Sequence, residues 1–308
     1  MADKRRINGP ASGTAIPIFT PSKSGAHTLQ RTRKPNQLRK IYLQPGVVPT
    51  ASGSAYLELE SLCHPSSLLN AVPSSLKLSC VIHGPKPLPR NANFSSNLQL
   101  TINVKFAPFA TRQRRGYIRD VTERDIGTHV ETALCGVIVR DRWPKSAIDI
   151  IITILEAEDD VQWGSGTQQQ NTVGGLGNMN VVSGCITVAS AALMDAKIDC
   201  LDLITGGVAA VVPKDDGKFV HHLDPSVIEE PFLNSACVVG YMPARDEVTL
   251  VWTRGNIPSY SDGQTCRFDS LLDSAVNAAK GAHVILRQVA TELAQAESTK
   301  LIIDESKT

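Results

Sequence analysis

Several things are scarce in this 308-residue chain, and each scarcity removes a class of protein. No uninterrupted apolar run approaches the roughly 20 residues that a helix needs to cross a bilayer, so a membrane-spanning protein is not expected. The seven cysteines, at 63, 80, 135, 185, 200, 237 and 266, are odd in number and include no Cys-x-x-Cys pair. Such spacing offers neither a disulfide framework nor a zinc site and suits a reducing, intracellular compartment. The charged N-terminus has no apolar core behind it, which argues against a secretory leader. Gly175 and Gly177 form a Gly-x-Gly, but the third glycine of a dinucleotide fingerprint is missing. No serine lies in a nucleophile-elbow sequence. The most informative gap is one of charge: no Lys or Arg stands between Lys145 and Lys197.

What is present is ordinary for a globular protein, 42% hydrophobic and 20% charged, and long enough for a large core. The net charge of +1 hides an asymmetry. Residues 1–40 hold nine basic side chains against Asp3 alone, so this head carries +8 and the remainder −7. Rich in Pro, Gly, Ser and Thr up to about residue 50, it reads as an extended, partly disordered arm suited to an anionic partner. A solubilising tail or an import signal would look the same.

The organising stretch is Phe106 to Asp160. A basic loop leads into a helix whose start matches a capping box at Thr122 and Asp125. Ile126, Val130, Ala133, Leu134, Val137 and Ile138 then recur at helical spacing, and Trp143-Pro144 ends the pattern. Ile148 to Leu155 follows, apolar on both alternating faces apart from Asp149 and Thr153, which predicts a central strand covered on both sides. Gly53–Glu60, Leu76–Pro87 and Leu98–Val104 read as further strands. Residues 158–180 read as a flexible acidic, Gln- and Gly-rich insert. A small-residue helix with Val182, Cys185, Ile186, Ala189 and Leu193 comes next. Strands at Val208–Val212, Ala236–Met242 and Val248–Trp252 precede a long C-terminal helix with a stripe from Leu271 to Leu293.

The strings VKFAPFA (Val104–Ala110), RDVTERDIGTHVETAL (Arg119–Leu134) and DRWPKSAIDIIITILEA (Asp141–Ala157) resemble the RNase PH domain. That family comprises phosphate-dependent 3′→5′ exoribonucleases and their relatives in the ring of the eukaryotic RNA exosome. The resemblance implies an α+β fold, mixed sheets packed on helices in two βαβ-like halves. It places the domain at 41–296, between the arm and a tail at 297–308.

Active members hold phosphate with a Gly-Ser/Thr-Arg turn at a helix N-terminus and bind a divalent metal with an Asp-x5-Asp pair. The region where the arginine should stand is the one without Lys or Arg. Glu156, Glu158, Asp159 and Asp160 occupy it instead. Asp224 matches the first metal carboxylate and Glu230 falls at the second, so these are weak metal candidates; a turn or cap beside Pro225 is the plainer role for Asp224. No catalytic residue and no cofactor is expected. His221-His222 points to opposite faces of a strand and cannot share a metal, and His129 has no nucleophile beside it.

The loop with Lys105, Arg112, Arg114, Arg115 and Arg119, beside Phe106 and Phe109, is the expected RNA contact, since arginines neutralise phosphates and stack on bases. The function implied is that of a non-catalytic, RNA-guiding ring subunit serving 3′→5′ RNA processing, degradation and rRNA maturation. Its partners would be other RNase PH-like ring subunits, cap subunits and single-stranded RNA, in nucleus, nucleolus and cytoplasm. Two alternatives stay open: an active phosphorolytic exonuclease with a composite site, and a stand-alone RNA-binding protein.

Overall fold

The computed structural model describes residues 31, 33–60, 76–88, 95–111, 114, 116, 118–157, 175–213, 219–256 and 268–305. The strands form two sheets. In the first, β1 (Ile41–Pro45), β2 (Gly53–Leu59) and β3 (Lys77–Pro87) make an antiparallel meander. β5 (Ser146–Glu156) pairs antiparallel with β3 and parallel with β4 (Gln99–Phe106), giving the order β1-β2-β3-β5-β4. The parallel pair needs a crossover, which α1 (Val121–Cys135) supplies. The second sheet has the order β7-β6-β8-β9, all antiparallel, from β6 (Thr205–Pro213), β7 (Phe219–Leu223), β8 (Ser235–Met242) and β9 (Glu247–Gly255).

Between the sheets lies α2 (Leu176–Asp195), whose apolar residues point in every direction and are buried nearly throughout. By length and composition it could cross a membrane; here it is the core helix, packed on β2 and β3 on one side and on β6 and β8 on the other. α3 (Phe268–Glu305) covers the far face of the second sheet. Both helices approach β6 closely through Gly206 and Gly207. Consecutive strand residues face opposite ways. A Cβ on Gly206 would strike the backbone of Ser183 in α2, and one on Gly207 the backbone of Ala275 and Ala279 in α3. Two hydrogen bonds fix these contacts, from Gly206 N–H to Thr187 Oγ1 (3.1 Å) and from Thr205 Oγ1 to the Ala279 carbonyl (3.0 Å).

Several expectations shift. The cap of α1 is Asp120 with Glu123, two residues before the Thr122–Asp125 pattern, and the helix ends at Cys135. Val137 and Ile138 lie beyond it, and Ile138 bridges to Cys200. β5 is covered on one face only: Ile148, Ile150, Ile152 and Ile154 are buried, whereas Ile151 is 38% exposed. β3 does reach Pro87, as read from the sequence, but with an irregular register after His83. Residues 176–180, read as part of the insert, are the first turns of α2, with Leu176 and Met179 fully buried; the rest of the insert, 158–174, lies outside the described residues. β1 lies within the stretch read as arm, and α3 continues past residue 296.

Because α3 can reach β6 only where a side chain is missing, Gly207→Ala is expected to cost about 1–3 kcal/mol, the usual penalty of overpacking a core. A urea unfolding midpoint unchanged by that substitution would contradict this packing.

Candidate RNA interface and carboxylate segment

β7 ends at Leu223, and the chain turns through Asp224, whose φ of +48° is left-handed. A 3₁₀ turn, Val227–Phe232, follows, its capping box formed by Ser226 and Glu229. This segment holds the two predicted metal carboxylates, and the structure gives each a protein partner. Asp224 Oδ2 accepts from the Arg39 backbone N–H (3.0 Å) and from Arg39 Nε (2.9 Å), while Oδ1 accepts from Arg39 Nη2 (2.6 Å). The Arg39 residue is only 3% exposed. Glu230 is buried and reaches the N-terminus of α2, where its Oε1 accepts from the Leu176 N–H (3.4 Å). The cap residue there, Gly175, has no side chain to do so. Placing a carboxylate at that end also suits the helix dipole.

Glu229, which the sequence did not single out, completes the group. Its carboxylate accepts from Arg31 Nη1 (3.1 Å), from His222 Nδ1 (3.0 Å) and from the Ser226 backbone N–H (3.2 Å). Arg31 also donates to the Leu223 carbonyl (2.9 Å), and Arg33 Nη2 donates to the Asp224 carbonyl (3.2 Å). The last ten residues of the supposed arm, where described, are therefore docked onto this segment. Burial pushes the Asp224 carboxyl up, but the charge and hydrogen bonds of Arg39 outweigh it and hold it below the usual carboxylate range. Glu229 behaves alike: burial raises it, and His222, Arg31 and Ser226 bring it below its ordinary value. Burial lowers Arg33, with Asp224 opposing that shift.

His221 and His222 do point apart, His222 to Glu229 and His221 toward Ser270 Oγ (3.5 Å). His129 stacks on Trp252, with ring centroids 4.5 Å apart, and Arg254 lies 5.3 Å from the same indole. Arg254 is a second residue the sequence did not reveal. A Cβ added at Gly175 would collide with its Nη1, so β9 brings a guanidinium to the N-terminus of α2. No local motif announces it, because only the fold brings the two segments together.

The basic loop divides. Ala107 and Ala110 are pinned to the end of β5 by backbone bonds from Ala107 N–H to the Ile154 carbonyl (2.8 Å) and from Ala157 N–H to the Ala110 carbonyl (3.0 Å). Arg114 is exposed and Lys105 half-buried. Arg119 is drawn back, donating to Asn103 Oδ1 (3.1 Å) and tying the loop's end to β4. Arg112 and Arg115 lie outside the described residues. Phe106 is core, its N–H bound by Glu123 Oε1 (2.9 Å), whereas Phe109 is 73% exposed. Among the described residues no group of three or more His, Cys, Asp or Glu side chains is arranged to hold a metal ion.

The sequence profile of the 3′ exoribonuclease family, domain 1, matches residues 37–199. The exosome complex component MTR3 of Chaetomium thermophilum is 48% identical over 95% of this chain and 99% of that protein. The exosome complex component mtr3 of Schizosaccharomyces pombe is 29% identical over 93% and 95%, respectively. Among solved structures, rice Rrp46 shares the fold with a TM-score of 0.60 at 17% identity, covering 84% of this chain and 98% of that one.

Asp224→Asn would leave the buried Arg39 without its countercharge, and a loss of about 3–5 kcal/mol is expected. Adding Arg39→Met should recover most of it, and additive losses in chemical denaturation would contradict the pairing. Since both carboxyls are depressed in the folded protein, their stabilisation is full above the unfolded-state carboxylate pKa and is lost as pH falls through the folded values. The thermal midpoint should therefore drop on acidification more steeply in the native chain than in the Asp224→Asn, Arg39→Met variant.

Proposed function

The chain belongs to the RNase PH family of 3′ exoribonuclease domains, and we propose that it works there as a non-catalytic, RNA-guiding subunit of the RNA exosome ring. The observation that carries the non-catalytic part is the fate of the carboxylates in Asp224–Glu230. A metal ion that activates a phosphoryl transfer needs carboxylate oxygens open to it and placed beside the reacting phosphate. Here the oxygens of Asp224 are held by Arg39 and those of Glu229 by Arg31, His222 and Ser226, while Glu230 caps α2. The stretch that would carry a phosphate-binding arginine, Ser146 to Ala196, contains no Lys or Arg.

Support for the ring role is the full-length likeness to proteins named as exosome complex components. Partners on this reading are other RNase PH-like chains, cap subunits and single-stranded RNA, in nucleus, nucleolus and cytoplasm. RNA would meet the loop after Phe106, where Arg114 is exposed. Binding of that kind is electrostatic, tolerant of sequence and weakened by salt.

One observation favours the second reading, an active phosphorolytic site: Arg254 stands at the N-terminus of α2, where an anion would be held. Glu230 occupies the same place with the opposite charge, which tips the balance toward the scaffold.

Phosphorolysis of single-stranded RNA, with magnesium and phosphate, separates the two. The isolated chain should release no nucleoside diphosphate. In complex with its co-purifying ring partners, any release should be unchanged by Arg254→Gln or Glu230→Gln. Phosphate-dependent release that Arg254→Gln abolishes would overturn the scaffold reading.

A further inference from the structure

α1 and β9 belong to different halves of the domain, and their contact holds a titratable group. α1 is the crossover between β4 and β5, β9 is the outer strand of the second sheet, and the helix packs on the strand. At one end of this junction Gly136, the residue after α1, lies under Thr249, whose Cγ2 a Cβ there would meet at 3.4 Å. Two turns earlier His129 stacks on the indole of Trp252, with centroids 4.5 Å apart and planes 21° from parallel. Both residues are half-buried. The same indole carries Arg254, two residues along β9 on the same face of the strand, its guanidinium carbon 5.3 Å from the ring centroid.

One indole therefore has two neighbours that can be cations. Arg254 is charged at every pH, His129 only in acid. A neutral imidazole stacks on the indole as one aromatic ring on another, whereas an imidazolium takes the cation's place on it and repels the guanidinium already there. Burial, the largest influence, and Arg254 hold the imidazole below its ordinary value, against Asp125, one turn earlier on α1. Neither Lys105 of β4 nor Asp195 of α2, the charged residues of the other helix and strand packed on α1, bears on it. We propose that His129, Trp252 and Arg254 form a pH-sensitive clasp between the two halves, in which charging of His129 displaces Arg254 from the indole. The change reaches the N-terminus of α2, because the same guanidinium stands against Gly175, beside the Glu230 cap. Since the fold disfavours the proton, the clasp is fully closed above the ordinary imidazole value and opens as pH falls through the lower, folded one. It does not depend on the RNA-guiding reading.

The test titrates the full chain between about pH 8 and 5, the range in which imidazole changes charge. The chain has three tryptophans, so the Trp252 signal is the difference between native and Trp252→Phe fluorescence. That difference should change in one step, with the same midpoint as the His129 ring proton in nuclear magnetic resonance, and the step should vanish in His129→Gln. Arg254→Gln should raise the His129 midpoint by about 0.2–0.7 pH unit, as expected of one partly exposed charge, and Asp125→Asn should lower it. Arg254 and Asp125 are exposed, so these two variants carry the test even if His129→Gln disturbs the fold, which circular dichroism reports. Trp252 emission that stays constant while His129 titrates would overturn the clasp. So would a His129 midpoint that Arg254→Gln leaves in place or lowers.

Discussion

A buried carboxylate must be paired or neutralised, and that constraint shapes this protein more than any other. Asp224, Glu229 and Glu230 sit within seven residues, all largely removed from water. Each meets the requirement with a different part of the chain: the N-terminal arginines, the end of β7 and the N-terminus of α2. The segment therefore joins the arm, the second sheet and the central helix. Ion pairs of this sort add little net stability over a well-packed apolar alternative, but removing one partner is expensive. They specify where the arm lies more than they strengthen the fold.

The same geometry underlies the proposed function. On the reading proposed above, oxygens that hold a guanidinium are not offered to a metal ion, and the segment where active members of the family would assemble chemistry serves as a fastening. The turn after β4 is fastened in a different way, by backbone bonds to the end of β5, and Phe109 is left facing solvent. The second sheet is pressed against α2 and α3 through Gly206 and Gly207 of β6.

Much of this was legible in the residues and some was not, for identifiable reasons. The helical period from Ile126 to Leu134 located α1, but two capping patterns lie two residues apart, Asp120/Glu123 and Thr122/Asp125. Tertiary structure chooses the first, because Glu123 binds the backbone of both Asp120 and Phe106. β5 looked two-sided because Ile148 to Leu155 is apolar at nearly every position. One face is left open, and Ile151 stands on it. The start of α2 hid in glycine-rich composition, where Leu176 and Met179 were the only cue. The docked arm could not be read locally at all. Arg31, Arg33 and Arg39 looked like surplus charge because their partners lie more than 180 residues away. The cluster of five loop cations was plain in the residues, but not its division into exposed Arg114 and retracted Arg119.

The claim at the centre of this account is that the Asp224–Glu230 carboxylates belong to the protein's own cations and helix end, not to a metal. Counting free Mn²⁺ by electron paramagnetic resonance during a titration of the full chain addresses it directly. The account predicts no stoichiometric binding that depends on this segment. One ion bound per chain, displaced by Mg²⁺ and lost in Glu230→Gln, would contradict it.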